Sequence, residues 1–463
     1  MKKSIPLRRI SLLVLVLIFI ITPGRYKSFA LSINEEKELG QKFLDQIRNT
    51  FELEYDDFVN EYINELGEYL TSFLDTIHFP FHFYVIKDNN LNAFAAPGGH
   101  IFLFSGMIES LDEIDELAAI ICHELAHISE RHLSNRIEQS KKIGFATLAG
   151  VLAGSLIGGK AAEAIITGTI AAGVQKQLSF SREDERQADQ LGFRYMADAG
   201  FNPGKMATVL KKIQEGNYIG SKSITPYLLT HPGGSERMSN IDSMMTDFLP
   251  NPANKPPEKY QNRFPVFKTI LKGKKEDHQD SINFFNRQLD KNPDDALANL
   301  GLGIVYMEKA DYEASIDHFE RALAADGDRL IIYRYLGQSY QLMGKDLRAI
   351  EIFDRALGIE RNDKSSLYMQ ALSFQNIGEY PKSIQILERL SFLKPVKNDV
   401  FYNLGISYGR YGQLDLAHYN FGIFFQRESE KEKAKFHFDK AVELSKGNPS
   451  LLKRIEDARE SQR

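Results

Sequence analysis

Between Ile121 and Ile128 the chain reads Ile-Cys-His-Glu-Leu-Ala-His-Ile, which sets His123 and His127 four residues apart with the carboxylate of Glu124 beside the first. On a helix, residues i and i+4 share a face, so the two imidazoles converge on one point. Two neutral imidazoles reach a zinc ion at about 2.0–2.1 Å, and an adjacent carboxylate can take a proton from a water on that ion. The chemistry implied is metal-assisted hydrolysis. The helix that must carry these groups runs from Glu113 to Arg131, because Ile114, Leu117, Ala118, Ile121, Leu125 and Ile128 form an apolar stripe that buries one side of it. His132, five residues past His127, is rotated off the ligand face and is expected at solvent or at a helix end.

Two imidazoles leave the coordination incomplete, so a third donor must come from elsewhere. In the metzincin pattern a glycine and a histidine follow seven and ten residues after the first histidine, but Glu130 and Leu133 stand at those positions. A later segment, Ser181-Arg-Glu-Asp-Glu-Arg-Gln-Ala-Asp189, offers Glu185 with Asp189 one turn on. HExxH followed by ExxAD, 62 residues from His123 to Glu185, resembles the gluzincin peptidases of the HtpX, CAAX prenyl protease and BepA (YfgC-like) group. The resemblance implies one Zn²⁺ per chain held by His123, His127 and Glu185, with Glu124 as general base and Asp189 hydrogen-bonded to a ligating imidazole.

The resemblance extends to Thr230-His-Pro-Gly-Gly-Ser-Glu-Arg-Met238, which matches the family's His-Pro segment with an arginine a few residues on. By that likeness His231 either stabilises the oxyanion formed during hydrolysis or fills the open metal position, and Arg237 anchors the loop by pairing with a carboxylate. It also covers Asn92-Ala-Phe-Ala95 ahead of Pro97-Gly-Gly99. There Asn92, Ala93, Phe94 and Ala95 would offer a strand edge to an extended peptide substrate, while the bare residues fit a plain hairpin with a Gly turn equally well.

These groups need a scaffold, and 463 residues suffice for two or three domains. Residues 1–30 read as a signal peptide: Lys2, Lys3, Arg8 and Arg9, an apolar run from Ile10 to Ile21, then Ser28-Phe29-Ala30 as a cleavage site. Its removal takes away six basic and no acidic side chains and shifts the formal charge from −5 to about −11. Export to the periplasm of an acidic protein is expected, with no surface for nucleic acid. The lone Cys122 forms no internal disulfide and is expected to pack. From 31 to 248 the pattern is that of a mainly helical α+β peptidase domain with a small sheet, its strands at Phe81–Ile86 and His100–Phe104. Uncharged Gly- and Ala-rich runs within 143–174 are marginal in length for a bilayer span and are expected as a helical hairpin or flap, with peripheral membrane contact as one role.

Prolines 250, 252, 256, 257 and 265 suggest a linker over 249–265. Beyond it, Leu302-Gly-x-x-Tyr306, Leu336-Gly-x-x-Tyr340 and Leu404-Gly-x-x-Tyr408 keep a 34-residue period through the degenerate Ala371-x-x-Phe374, and Phe319, Phe353 and Phe421 fall 16 residues after each Gly. This resembles the tetratricopeptide repeat, an all-α solenoid over 266–463 whose concave face binds partner proteins or extended peptides. Ala434, Phe438 and Ala441 register with Gly422, half a period after Gly405, so one helix is expected to serve two units before a cap from Asn448. The reading is an exported zinc endopeptidase with a client-binding array. The alternative is an envelope chaperone or assembly factor whose zinc site is structural or latent.

Overall fold

The computed structural model describes residues 31–139, 180–219, 226–325, 327 and 329–460. The expected signal peptide and the Gly- and Ala-rich runs of 143–174 lie outside them. Among the described residues no helix is long and apolar enough to cross a membrane.

Helix α1 (Ile33–Thr50) starts at a capping box, in which Ser32 and Glu35 each accept the other's main-chain N–H. Helix α2 (Asp57–Thr71) starts at Asp56, whose Oδ1 accepts the N–H of Phe58 at 3.0 Å and of Val59 at 3.2 Å. The sheet follows: β1 (His82–Ile86), β2 (Ala93–Ala96) and β3 (His100–Phe104), in spatial order β1-β3-β2. β1 runs parallel to β3, so these two strands are not the arms of a hairpin; β2 and β3 are, in antiparallel register. Pro97-Gly98-Gly99 makes the tight return, with φ of 78° and 89° at the two glycines. Phe43 of α1 meets the rings of Phe94 and Phe102 at 6.0 Å and seats the helix on the sheet.

His100 at the start of β3 is buried, and its pKa is pushed down to about 4, by burial first and then by His82 and Arg48. An unfolded histidine titrates near about 6.5, so between those values the unfolded chain binds the extra proton and the folded chain does not. The stability this neutral imidazole carries is complete above pH about 6.5 and is lost as pH falls toward about 4, to an extent of order 3 kcal/mol. His100→Gln should flatten that acid limb, and urea midpoints at pH 7.5 and 5 would read it. An unchanged slope would show that other groups set it.

Helices α3 (Ser105–Ser110) and α4 (Ile114–Ser129) follow, and α4 carries the HExxH residues. A one-sided stripe was expected, yet Ile114 and every residue from Glu116 to Ile128 are buried. The face opposite the stripe carries Glu116, His123 and His127, and it is covered as well, by the Gly192 face of the helix Arg182–Asp198 and by Lys212, which pairs with Glu116 at 2.7 Å. Burial also pushes the Cys122 thiol far up and keeps it a packing group. α5 (His132–Gln139), α6 (Arg182–Asp198), α7 (Lys205–Ile219), α8 (Pro226–Thr230) and α9 (Gly234–Thr246) complete this part.

The Pro-rich stretch expected as a linker is irregular only as far as Pro257. At Glu258 it enters α10 (Glu258–Gly273), with Pro265 inside the helix. Tyr260 and Phe264 are buried, Tyr62 of α2 donates its hydroxyl to the Tyr260 carbonyl at 2.9 Å, and its ring lies 4.6 Å from Phe267. The prolines start a packed helix instead of spacing two independent bodies. One apolar cluster runs without a break from Leu39 through Phe267 to Ile352.

The remaining helices are α11 (His278–Leu289), α12 (Ala296–Glu308), α13 (Tyr312–Ala324), α14 (Arg329–Leu342), α15 (Asp346–Ile359), α16 (Lys364–Asn376), α17 (Tyr380–Phe392), α18 (Asn398–Arg410), α19 (Leu414–Arg427), α20 (Lys431–Leu444) and α21 (Pro449–Glu460). A Cβ at Gly337 or Gly405 would fall 2.5–2.6 Å from the ring of Phe353 or Phe421, so only glycine lets the paired helices close. Gly422 has the same relation to Phe438, at 2.5 Å, and α19 therefore serves as second helix of one pair and first of the next.

The repeats also grip the start of α2. Tyr335 donates to Asp56 Oδ2 and Ser365 to Asp57 Oδ2, both at 2.6 Å, while Lys397 pairs with Asp57 and Arg334 with Glu61.

Candidate metal centre

α4 and α6 pack closely because Gly192 faces the α4 backbone; a Cβ there would sit 3.2 Å from His123 N. This approach sets Glu185 against the two histidines, and the loop between α8 and α9 brings His231 in from the other side. All four side chains are buried, and one donor atom from each lies within 4.8 Å of the others. His123 Nε2 is 3.1 Å from His127 Nε2 and 3.4 Å from His231 Nδ1. Glu185 lies 3.4 Å from His123 Nε2, 3.5 Å from His127 Nε2 and 3.0 Å from His231 Nδ1. Ligand bonds of about 2.0–2.1 Å at tetrahedral angles place donors about 3.3 Å apart, so this cluster has the size and donor chemistry of a zinc site. Glu124 is fully buried, and neither of its carboxylate oxygens has a hydrogen-bond partner; the nearer, Oε1, is 3.7 Å from His231 Nε2.

The surrounding groups orient the donors. Asp189 Oδ1 lies 3.1 Å from His123 Nδ1, which leaves Nε2 facing the cluster. Arg237 donates to both Asp189 oxygens at 2.8 Å and forms an ion pair with Glu185 at 2.6 Å. Burial would raise the carboxyls of Glu185 and Asp189, but Arg237, with His231 for Glu185, holds both below the usual carboxylate range. His123 is pushed up to about 9, since Asp189 and Glu185 outweigh burial and Arg237. Burial drives His127 the other way, well below its ordinary value.

His132 opens α5, the helix end that was one of the two expectations, but it is not at solvent. It is 5% exposed, with Nδ1 3.0 Å from His127 Nδ1 and Nε2 3.1 Å from Gln187 Oε1. The chain turns sharply at Arg131, where φ is 53°, and swings His132 back under His127. The one sequence signal for it is the need of a ligating imidazole for a partner on its second nitrogen. Two aromatic residues were not singled out either. Tyr227 stacks on His231 at 4.4 Å, and Phe180 lies 3.9 Å from the His127 ring and 5.1 Å from His231.

Residues 58–245 match peptidase family M48, and residues 294–362 match the tetratricopeptide repeat. The chain carries an M48 peptidase domain followed by tetratricopeptide repeats. This arrangement matches the BepA/YfgC-like proteases. The chain is 33% identical over 232 residues to the beta-barrel assembly-enhancing protease of Yersinia pestis, covering 50% of this chain and 48% of that protein. The Escherichia coli K12 protein of the same name is 31% identical over 230 residues, 49% of this chain and 47% of its own length. The mitochondrial metalloendopeptidase OMA1 of Arabidopsis thaliana is 32% identical over 153 residues, 33% of this chain and 29% of that one. The aligned region thus spans about half the length of the beta-barrel assembly-enhancing proteases.

Proposed function

We propose that this chain is an exported, periplasmic zinc endopeptidase that hydrolyses misassembled outer-membrane or other envelope proteins. The observation that carries the reading is the set of four buried donors within 4.8 Å of one another beside a buried carboxylate that has no hydrogen-bond partner. His123, His127 and Glu185 would hold one zinc ion, which when bound polarises a carbonyl and acidifies water. Glu124 removes a proton from the attacking water and returns it to the leaving amine. Asp189 fixes the orientation of His123, and Arg237 fixes Asp189. The choice of client follows the name of the relatives, and the repeats would recruit clients or partner proteins.

The substrate edge follows from β2. Asn92 accepts from Phe104 across the sheet, so 92/104, 94/102 and 96/100 are the hydrogen-bonded pairs of the antiparallel ladder. The N–H and C=O groups of Ala93 and Ala95 therefore point away from β3, to the side on which no strand pairs with β2 among the described residues, and an extended peptide would add there as a strand.

His231 Nδ1 stands among the donors, which supports the fourth-ligand role over the oxyanion role; as a ligand it would hold hydrolysis below its full rate. His231→Ala should keep zinc through the other three donors and raise peptide hydrolysis. A loss of hydrolysis with zinc retained would restore the oxyanion role. Unchanged silence in both forms would favour the chaperone reading with a structural zinc.

The reading is tested by metal analysis and by cleavage of an unfolded protein before chelation, after it, and after readdition of one equivalent of zinc. One zinc per chain is expected, with hydrolysis lost and then restored. Absence of stoichiometric zinc would end the metal assignment.

A further inference from the structure

The edge of the repeat array that faces away from α2 carries a strip of exposed apolar side chains. Successive helices alternate in direction, so the α14–α15, α16–α17, α18–α19 and α20–α21 turns fall on one edge. The starts of α14, α16 and α18, where Arg334, Tyr335, Ser365 and Lys397 hold α2, fall on the other. Helices of 13–14 residues set the two edges about 20 Å apart. Leu342, Leu347, Ile377, Tyr411, Leu414 and Leu444 stand at the free turns, each 39–68% exposed. Ile377 and Tyr411 are one 34-residue period apart and Leu342 and Leu444 three, so the strip recurs with the repeat itself.

The turns are tied side by side. Gln341 donates to Ser373 at 2.8 Å, Gln375 to Ser407 at 2.7 Å, and Asn376 to Asp346 at 3.0 Å. Neighbouring helices pack about 8–10 Å apart, which places the four turns in a row about 30 Å long. The row protrudes: Gly344, Gly378 and Gly412 take φ of 73–88° in these turns, and a Cβ on any of them would meet nothing within 4 Å.

The carboxylates beside the strip are engaged. Asp346 is buried and takes the bond from Asn376, Asp415 accepts the Leu416 N–H at 2.9 Å, and Glu351, Glu379 and Glu443 pair with Arg348, Lys382 and Lys440. Lys345 and Arg410 have no ion-pair partner among the described residues, and Lys446 lies two residues past Leu444. Spare cations beside exposed Leu, Ile and Tyr, in a chain of formal charge −5, are the chemistry of an interfacial contact: aliphatic groups reach the acyl boundary while Tyr and the cations stay among the headgroups. A protein partner would need pockets spaced to match four separate tips, whereas a fluid bilayer accepts any row of them.

We propose that this edge docks the protein on an anionic phospholipid bilayer. The proposal goes beyond the hydrolytic reading and does not depend on zinc.

The exported form, residues 31–463, is tested with vesicles of phosphatidylcholine alone or of phosphatidylcholine and phosphatidylglycerol in equal parts. The chain has no tryptophan, so Tyr411→Trp places a single indole on the strip, and Phe392→Trp places one at an exposed position on the opposite edge. Mixed vesicles should blue-shift the Tyr411→Trp emission and leave Phe392→Trp unchanged, and binding to phosphatidylcholine alone should be weaker by about tenfold or more. Leu347→Glu combined with Leu414→Glu should weaken co-sedimentation with mixed vesicles by about tenfold or more. Its thermal midpoint should hold, since both positions are exposed and lie in the first turn of a helix, where Glu suits the dipole. A Tyr411→Trp emission that does not move on mixed vesicles overturns the proposal, as does a shift of both indoles, equal binding to the two lipids, or a double variant that binds as the wild type does. A shift that appears without lipid as concentration rises, with a doubled mass in light scattering, assigns the strip to a second copy of the chain and overturns it too.

Discussion

Glu124→Gln is expected to lower peptide hydrolysis by about 10²–10⁴-fold while leaving one zinc per chain in place. The amide has the size of the carboxylate, so a fully buried position is refilled without a cavity, but it has no basic oxygen to take a proton from water. Both Glu124 oxygens lack a hydrogen-bond partner, so the substitution takes no acceptor from a buried donor, but its amide N–H₂ is a new buried donor, and urea midpoints are therefore read beside activity. Glu185→Gln makes the useful contrast: Glu185 stands 3.0–3.5 Å from three imidazole nitrogens and carries the negative charge of the donor set, so its amide should lose zinc and hydrolysis together. Single-turnover cleavage and metal analysis on the two variants separate base from ligand. If Glu124→Gln cleaves like the wild type, the general base lies elsewhere; if it sheds zinc in step with activity, Glu124 is part of the metal site.

The parts of this arrangement that were legible in the sequence are those fixed at short range. His123 and His127 meet because a helix brings i and i+4 together whatever surrounds it. The repeats were readable for a similar reason, since each Phe closes on a Gly 16 residues earlier and the interval recurs; even the half-period at Gly422 registers in the spacing. Glu185 and Asp189 share α6, His231 lies in the α8–α9 loop and Arg237 on α9, and only their likeness to a family's motifs linked them to His123 and His127 before these elements were seen to converge. His132 escaped because a helical wheel places it off the ligand face, and the turn at Arg131 is what returns it. The prolines of 249–265 suggested a spacer because composition carries no information on what Tyr260 and Phe264 will pack against. The shared core explains why: α10 is needed to cover α2, and the repeats continue that layer.

Arg237→Leu is expected to destabilise the chelated protein by about 3–5 kcal/mol, the cost of removing one partner from a buried charge cluster. Arg237 is 4% exposed and is hydrogen-bonded to both oxygens of Asp189. Leucine fills much of the space but leaves two buried carboxylates, Asp189 and Glu185, without their shared counterion. Arg182 provides the control, because it pairs with Glu236 at 3.2 Å with both side chains more than half exposed, and Arg182→Leu should cost about 0–1 kcal/mol. Arg237→Lys should fall between them, since a point charge cannot span both Asp189 oxygens. Zinc affinity should drop about 10–100-fold as Asp189 loses its hold on His123, and by linkage the loss in Arg237→Leu should then be larger in zinc-loaded than in chelated protein, by about 1.4–2.7 kcal/mol. Urea midpoints of the three variants, each with and without chelator, give all of these differences. If Arg237→Leu matches Arg182→Leu in chelator, the buried cluster is not held together by this arginine. If its loss is the same with and without zinc, the cation and Arg237 do not act on the same carboxylates.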